Sequence, residues 1–155
     1  VRAAADGYAA AASSEAFFSA CNVISLHLRH TDATRGIVTA ADLARMRSDA
    51  LLVNTSRAAL IEPGALERAL RAGRPGMAAV DVYDEEPVTD ASYGLPTLDN
   101  VVCTPHLGFV ERDAFEDQFS EIFDQILAYA DGKPINVVNA EVLRTQPSPV
   151  GPGAA

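Results

Sequence analysis

The sequence predicts an α/β protein built on a parallel β-sheet, and three features of the chain support this fold class. Short apolar runs alternate with segments that suit short helices. The runs 50–53, 77–80 and 101–103 each lead directly into polar residues. Strand, helix and strand in close alternation imply parallel strands with right-handed crossovers. Because the carboxyl ends of such strands meet at one edge of an open sheet, the three polar segments are expected to face one crevice.

The first predicted elements follow an alanine-rich N-terminal stretch that carries little information. Ser13-Ser14-Glu15 is expected to open a short helix, with serine as the cap and an acid in the first turn. Residues 22–28 are β-branched and apolar and predict a buried strand, in which His27 would be a core histidine. Thr39 is then expected to cap a helix over residues 40–47.

The next strand and helix are predicted between residues 51 and 73. Residues 51–55 form the strand. Glu62 and Pro63 are expected to begin the helix, with the proline at the first helical position. Residues 66–70 supply its apolar face, and Gly73 marks its end because glycine readily adopts the left-handed conformation found there.

The last predicted elements are two strands and a long helix. The strands cover residues 76–82 and 101–104, and the loop 84–100 between them is long enough to be a functional candidate. A helix over 111–131 carries apolar side chains at helical spacing. Those side chains are Phe115, Phe119, Ile122, Phe123, Ile126 and Leu127.

Composition sets limits on the class of protein. Hydrophobic residues make up 48% and charged residues 21%, which predicts one globular domain over 1–143, followed by a disordered Pro/Gly-rich tail over 144–155. The net charge of −9 argues against nucleic acid as a partner. No apolar run is long enough for a membrane span. Cys21 and Cys103 suggest neither a disulfide framework nor a metal site, and a cytoplasmic location is expected.

Three residues at the ends of apolar runs are the candidate reactive groups. Arg57 is a fixed cation, Glu86 a carboxylate and His106 a base that titrates near neutrality. An anionic substrate would be repelled by the overall charge and needs a placed cation, which Arg57 can supply. The alternatives are that Arg57 is an ordinary exposed arginine and that His106 is a structural histidine.

The segments that carry these residues resemble a known enzyme family. Asn54-Thr55-Ser56-Arg57, then Asp81-Val82-Tyr83 with Glu86-Pro87, and then Pro105-His106-Leu107-Gly108 are similar to motifs of the NAD(P)-dependent D-2-hydroxyacid dehydrogenases. That family includes the phosphoglycerate, glyoxylate and hydroxypyruvate enzymes. The likeness runs from about residue 22 to about residue 139, and it implies a Rossmann-type, doubly wound coenzyme domain.

The resemblance implies roles for the three candidates. Arg57 would hold the carboxylate of a small 2-hydroxy or 2-oxo acid and polarise its 2-oxo group. His106 would donate the proton to the carbonyl oxygen, or accept it in the reverse reaction. Glu86 would hold the imidazole and favour its protonated form, with Glu85 as a rival for this role.

The resemblance also implies that NAD or NADP is the cofactor. Asp81 would contact the nicotinamide carboxamide, with a helix-capping or loop-tying role as the alternative. Arg29 stands where the family usually has proline, and it would lie beside the adenine half. The full set of residues expected to bind cofactor is Leu28, Arg29, Thr55, Ser56, Asp81 and Gly108.

The glycine-rich opening of a dinucleotide fold, Gly-x-Gly-x-x-Gly, is not found in the 155 residues. The chain is therefore expected to form an incomplete Rossmann-type sheet and to be the C-terminal half of a two-domain enzyme. The full-length enzyme is expected to form homodimers, and the 155 residues alone are expected to be inactive. Two other functions stay open: a nucleotide-binding or interaction remnant without catalysis, and an NAD-sensing corepressor of the same fold.

Overall fold

The computed structural model describes residues 2–90 and 93–144 and is organised around a four-stranded, fully parallel sheet of order β1-β2-β3-β4. Val23 of β1 pairs with Leu51 of β2, which pairs with Met77 of β3, and Ala78 of β3 pairs with Val101 of β4. The predicted α/β class with a parallel sheet is thereby confirmed. The strands are shorter than predicted: β1 (Val23–Leu26), β2 (Leu51–Asn54), β3 (Met77–Val80) and β4 (Val101–Cys103).

The strands bury one face and expose much of the other. Side chains alternate across a strand, and Ile24, Leu52 and Ala78 all lie on the buried face. On the opposite face Val23 is 59% exposed and Met77 is 50% exposed. Parallel sheets are usually covered on both faces, so this surface has the composition of one that packs against another element.

His27 is not the core histidine that the sequence predicted. The strand β1 ends at Leu26, so His27 stands in the following loop and is exposed. Its Nε2 atom lies 2.9 Å from the hydroxyl of Ser25. The apolar pattern of residues 22–28 continues past the last residue that pairs with a neighbouring strand, and this is why the prediction was wrong.

Two of the short helices begin where their capping residues predicted. The hydroxyl of Ser13 accepts from the backbone N–H of Ala16 at the start of the second helix. Thr39 and Asp42 form a reciprocal capping box at the start of the third. The helices up to this point are α1 (Arg2–Ala5), α2 (Ser14–Ala20) and α3 (Ala40–Arg45).

The helix α4 (Ala65–Arg71) begins later than predicted. Gly64 is its N-cap and has a left-handed backbone, with φ of +68°. Pro63 therefore precedes the cap and is not the first helical residue, contrary to the prediction. The predicted stop is confirmed, because Gly73 takes a φ of +78° just past the helix end. Short 3₁₀ helices also occur at Ala58–Leu60, Leu95–Thr97 and Ala140–Arg144.

The core lies between the buried face of the sheet and these helices. Leu43, Met46, Leu52 and Leu60 are all fully buried, and burial of each such side chain contributes about 1.5–3 kcal/mol. Gly76 is required where the chain enters β3, because a Cβ there would lie 1.9 Å from the carbonyl oxygen of Ser48. Within 2–90 and 93–144, no helix is both long enough and apolar enough to cross a membrane.

The chain divides into two compact units, one ending at Gly108 and the other beginning at Phe109. The first contains the sheet. The second contains α5 (Arg112–Ala130), which confirms the predicted long helix. Its apolar stripe is exposed, and the rings of Phe115 and Phe119 lie 4.3 Å apart. The tail predicted over 144–155 lies, from residue 145 onward, outside the described residues.

Candidate functional site

A buried asparagine shapes the turn that presents Arg57. Asn54 is the last residue of β2, and its side chain is 1% exposed. Its Nδ2 donates to the carbonyl of Arg57 (2.9 Å), and its Oδ1 accepts from the backbone N–H of Ser56 (3.1 Å). The turn is therefore held from within, while the Arg57 side chain is exposed and its Nη1 donates to the Ser56 carbonyl (2.6 Å).

Asp81 fixes the loop that follows β4. It is only 3% exposed. Its carboxylate accepts hydrogen bonds from the Thr104 hydroxyl, from the N–H of Leu107 (2.8 Å) and from the N–H of Gly108 (2.7 Å). Burial by itself would raise the pKa of Asp81, but these donors together hold that pKa below its ordinary value of 3.8. The structure thus displays the loop-tying role, and the contact with nicotinamide stays a prediction.

His106 and Glu86 form a close pair. The Nδ1 atom of His106 lies 2.5 Å from Oε2 of Glu86, and each side chain is 35% exposed. The other carboxylate oxygen of Glu86 accepts from the N–H of Tyr83 (2.9 Å). The bond with His106, and secondly the bond with Tyr83, lower the pKa of Glu86 below its ordinary value of 4.5. Glu86 is therefore a carboxylate at neutral pH and can hold the imidazole in one orientation.

Tyr83 connects this pair to the loop after β4. Its hydroxyl donates to the carbonyl of Thr104 (2.9 Å), and its ring packs edge-on against Tyr93, with centroids 5.8 Å apart. Burial is the main cause of the raised pKa of Tyr83, so the phenol stays protonated and remains a donor. One residue therefore holds both the Glu86 carboxylate and the segment that carries His106.

The backbone around His106 is unusual. His106 has a φ of +56°, in the left-handed region that side chains other than glycine seldom occupy. Two residues on, a Cβ at Gly108 would lie 2.9 Å from the carboxylate oxygen of Asp81, which is itself buried and bonded. The segment 104–108 is thus held in a constrained conformation by its bonds to Asp81 and Tyr83.

Two cavities open at this edge of the sheet. The first, of about 450 Å³, is lined by His106 and Glu86 together with Tyr83, Tyr93 and the neighbouring prolines. The second, of about 380 Å³, is lined by the segment 27–30 with Ser56 and Arg57. The Arg57 cation also contributes to lowering the pKa of Glu86, which places it within electrostatic reach of the pair.

The structure brings the predicted site residues into three groups. Glu86 contacts His106, Asp81 contacts Gly108, and Leu28, Arg29, Ser56 and Arg57 line one cavity. Thr55 is exposed, and its Cβ would lie 3.7 Å from a Cβ added at Gly108. Arg57 lines a different cavity from His106, so their convergence on one small acid is not displayed directly and stays a prediction.

Sequence reasoning missed the supporting roles of Asn54, Tyr83 and Thr104. The signal for Asn54 is a polar residue at the end of an apolar strand, where an unpartnered amide would be costly. No comparable local signal marks the Tyr83 hydroxyl or Thr104, because the hydroxyl of each bonds to a residue more than twenty positions away. Among the described residues, no group of three His, Cys, Asp or Glu side chains could hold a metal ion.

An open parallel sheet with charged groups gathered at the carboxyl ends of its strands is characteristic of nucleotide-binding α/β domains. The family model described as "D-isomer specific 2-hydroxyacid dehydrogenase, NAD binding domain" matches residues 2–108. The chain belongs to this family. The Rossmann-type fold and the NAD-binding class expected from the motifs are thereby confirmed.

Individual relatives support the same assignment. Over 126 residues the chain is 37% identical to a glyoxylate reductase from Aeropyrum pernix. The structure of a phosphoglycerate oxidoreductase from Vibrio cholerae is 48% identical with a TM-score of 0.77. That of an acyclic imino acid reductase in complex with NADPH and D-Arg is 30% identical with a TM-score of 0.64.

The likeness covers most of this chain but less than half of each relative. The aligned part spans 81%, 84% and 81% of this chain, and 37%, 41% and 40% of the three relatives in the same order. The chain therefore spans about two fifths of the length of the proteins it matches.

Proposed function

We propose that this chain supplies the coenzyme side of the active site of an oxidoreductase acting on CH–OH groups. The reaction is hydride transfer between NAD or NADP and C2 of a small D-2-hydroxy or 2-oxo acid. The observation that carries this proposal is the 2.5 Å contact between His106 and Glu86, at the sheet edge to which β2 also delivers Arg57. An imidazole held by an ionised carboxylate, with a fixed cation on the same edge of the sheet, suits proton transfer to an anionic substrate.

In the reducing direction the chain's residues manage charge and one proton. The bound nicotinamide supplies the hydride that C2 accepts. Arg57 pairs with the substrate carboxylate and orients the 2-oxo group, since a guanidinium matches a carboxylate bidentately. His106 donates a proton to the carbonyl oxygen as C2 is reduced, and in oxidation it takes that proton back. Glu86 holds Nδ1 and so fixes the orientation of the ring that transfers the proton.

The proposed cofactor contacts fit the same arrangement. Leu28, Arg29 and Ser56 line the cavity at the ends of β1 and β2, where the adenine half would lie. Asp81 and Thr55 would lie near the nicotinamide end together with Gly108. Because Asp81 already accepts hydrogen bonds from the loop after β4, its main effect on a cofactor would be to fix Gly108.

Kinetics of a longer protein, in which this chain is completed to the length of its relatives, test the proposal. Reduction of glyoxylate and hydroxypyruvate is measured with NADH and with NADPH. His106→Asn suits the positive φ and removes the proton donor, so kcat is expected to fall by about 10²–10⁴-fold. Arg57→Lys is expected to raise KM and not to restore the bidentate contact. Wild-type turnover by His106→Asn would refute the assignment.

A second candidate is a protein that binds the nucleotide without catalysis, either as a remnant or as a corepressor that senses NAD. The 155 residues contain no Gly-x-Gly-x-x-Gly, the motif that places the pyrophosphate at a helix N-terminus, and this supports a lack of catalysis by these residues alone. We expect no turnover by the 155 residues alone. In the longer protein, His106→Asn separates the two functions, because a sensor keeps partner binding whereas an enzyme loses turnover.

A further inference from the structure

The cavity at the ends of β1 and β2 is lined by basic and uncharged residues, although the protein is acidic overall. We name it the β1–β2 cleft and define it by the residues that line it: His27, Leu28, Arg29, His30, Ser56 and Arg57. Two arginines and two histidines face about 380 Å³, and none of these lining residues is acidic. The whole chain has a net charge of −9, so this local charge is opposite to the overall field.

The arginines of the cleft differ from several others in that no acidic side chain of the described residues forms an ion pair with them. Elsewhere in the described chain, four arginines form ion pairs with acidic side chains: Arg45, Arg47, Arg68 and Arg71. The Arg29 guanidinium has no hydrogen bond or ion pair with any residue in 2–90 or 93–144. Arg57 donates only to a backbone carbonyl. The cleft therefore presents cationic groups whose hydrogen-bonding capacity is largely unused.

The frame of the cleft is fixed by hydrogen bonds. The hydroxyl of Ser56 donates to the carbonyl of Leu28 (2.7 Å), which ties the loop after β2 to the loop after β1. The hydroxyl of Thr34 donates to the carbonyl of Arg29 (2.7 Å). The backbone that carries the basic side chains is thus positioned before any ligand binds.

His30 lines this cleft and contains a polar atom without a hydrogen-bond partner in the described part of the chain. Its Nε2 is buried and has no hydrogen-bond partner among the described residues. Buried polar atoms in folded proteins nearly always have a partner, so such an atom commonly marks a site that a ligand or ion completes. An acceptor oxygen is the partner that a protonated ring nitrogen requires.

We propose that the β1–β2 cleft binds a phosphate monoester, with Arg29 as its principal cation. Such a group carries about −1.5 to −2 charges and three acceptor oxygens, which matches several unused donors better than a carboxylate does. The inference deepens the proposed function and rests on it. The phosphate comes from the 2′-position of the cofactor ribose or from a phosphorylated substrate.

Calorimetric titration of the 155-residue chain tests this inference without turnover. Two matched pairs of probes are used: 2′,5′-ADP against 5′-AMP, and 3-phosphoglycerate against glycerate. In at least one pair the probe with the additional phosphate is expected to bind at least about tenfold more tightly, and Arg29→Gln is expected to abolish that difference. The pair that responds identifies the source of the phosphate.

Arg35→Gln is the matched control. This substitution removes the same charge six positions further along the chain, and Arg35 does not line the cleft. It is expected to keep the discrimination. Equal binding within both pairs, no binding of either phosphorylated probe, or an equal loss in Arg35→Gln would overturn the inference. Turnover by the longer protein without phosphate discrimination would overturn this inference alone, and discrimination without turnover would overturn only the proposed function.

Discussion

At the scale of single residues, Asp81 decides where the loop after β4 lies. Its carboxylate is buried and accepts from Thr104, Leu107 and Gly108. His106 lies between the residues so held, and its position beside Glu86 depends on them. Asp81 is thus a positioning residue for the proposed proton donor, whether or not it also contacts a cofactor.

Asp81→Asn is expected to lower the free energy of unfolding by about 1–3 kcal/mol at pH 7. The amide NH2 group of asparagine is a donor, and in this buried site it would face backbone N–H groups that are also donors. Urea denaturation measures the change. Asp99→Asn, at an exposed turn, is the control and is expected to stay within about 0.5 kcal/mol of the wild type. Equal stability of the two variants would contradict the role given to Asp81.

The stabilising effect of Asp81 is expected to depend on pH in a defined direction. Its pKa is lower in the folded chain than its ordinary value of 3.8. The contribution is therefore fully present above about pH 4 and is lost as the pH falls through the folded-state pKa. The difference between wild type and Asp81→Asn should shrink below about pH 4, and a constant difference down to the acid transition would contradict this.

The pair formed by Glu86 and His106 gives a second prediction at this scale. Because the bond with His106 is the main cause of the lowered pKa of Glu86, His106→Ala should raise that pKa toward 4.5. Carbon-13 NMR of the Glu86 carboxyl group measures the midpoint. His27→Ala removes another exposed histidine and should leave the Glu86 midpoint unchanged. An unmoved midpoint in His106→Ala would mean that the pair does not form in solution.

At the scale of elements, α3 is held at its start by residues from several parts of the chain. Thr39 and Asp42 form the capping box, the Ser14 hydroxyl donates to Asp42 (3.1 Å), and the N–H of Ala40 donates to Glu62 (3.0 Å). Burial would raise the pKa of Asp42, yet the bonds from Thr39 and Ser14 hold it below its ordinary value. This cap joins α2 and α3 to the segment before α4.

Thr39→Ala is expected to reduce the free energy of unfolding by about 1–2 kcal/mol, since it removes the cap acceptor and one donor to Asp42. Thermal and urea denaturation measure the loss. Ser48→Ala, an exposed serine outside any helix, serves as the control with an expected change below about 0.5 kcal/mol. A loss in Thr39→Ala no larger than in the control would show that the cap contributes little.

The success of sequence reasoning at this scale depended on how local each signal is. Ser13 and Thr39 predicted helix starts correctly because a cap bonds within one turn. Strand ends were placed too far out, because pairing depends on residues elsewhere in the chain. The prediction that Pro63 begins α4 was wrong because the neighbouring Gly64 adopts a left-handed backbone and caps the helix, which no composition rule requires.

For the candidate site, too, local features could be predicted from the sequence and long-range contacts could not. The identities of Arg57, Glu86 and His106 could be predicted because each stands in a recognisable motif. The bonds from Asp81 to Thr104, Leu107 and Gly108 join residues more than twenty positions apart and depend on the folded sheet. Sequence patterns indicate the candidate reactive groups, whereas the tertiary fold determines how those side chains are held.

At the scale of the whole molecule, the chain exposes many large apolar side chains. One face of the sheet carries exposed Val23 and Met77, and the apolar stripe of α5 is exposed along its length. The matched relatives are more than twice as long, and we propose that further protein or a second copy covers these surfaces in a full-length homodimer.

The isolated 155-residue chain is therefore expected to self-associate at micromolar concentrations. Replacing Phe119 and Phe123 together with serine should weaken this association by at least about tenfold, because both rings are exposed on the stripe. Size-exclusion chromatography and sedimentation measure it. Asp124→Ser lies on the opposite side of α5 and is the control. A wild-type chain that elutes as a clean monomer would contradict the expectation.

The positive φ of His106 places selection for thermostability and selection for the proposed turnover in opposition at one codon. Glycine and asparagine occupy that backbone conformation more readily than histidine, by about 1 kcal/mol or more. In a deep mutational scan ranked by survival after heating, both should score above the parental residue, whereas in a scan ranked by growth that depends on the proposed turnover they should fall to the bottom. Directed evolution toward a hardier catalyst would therefore have to keep codon 106 fixed.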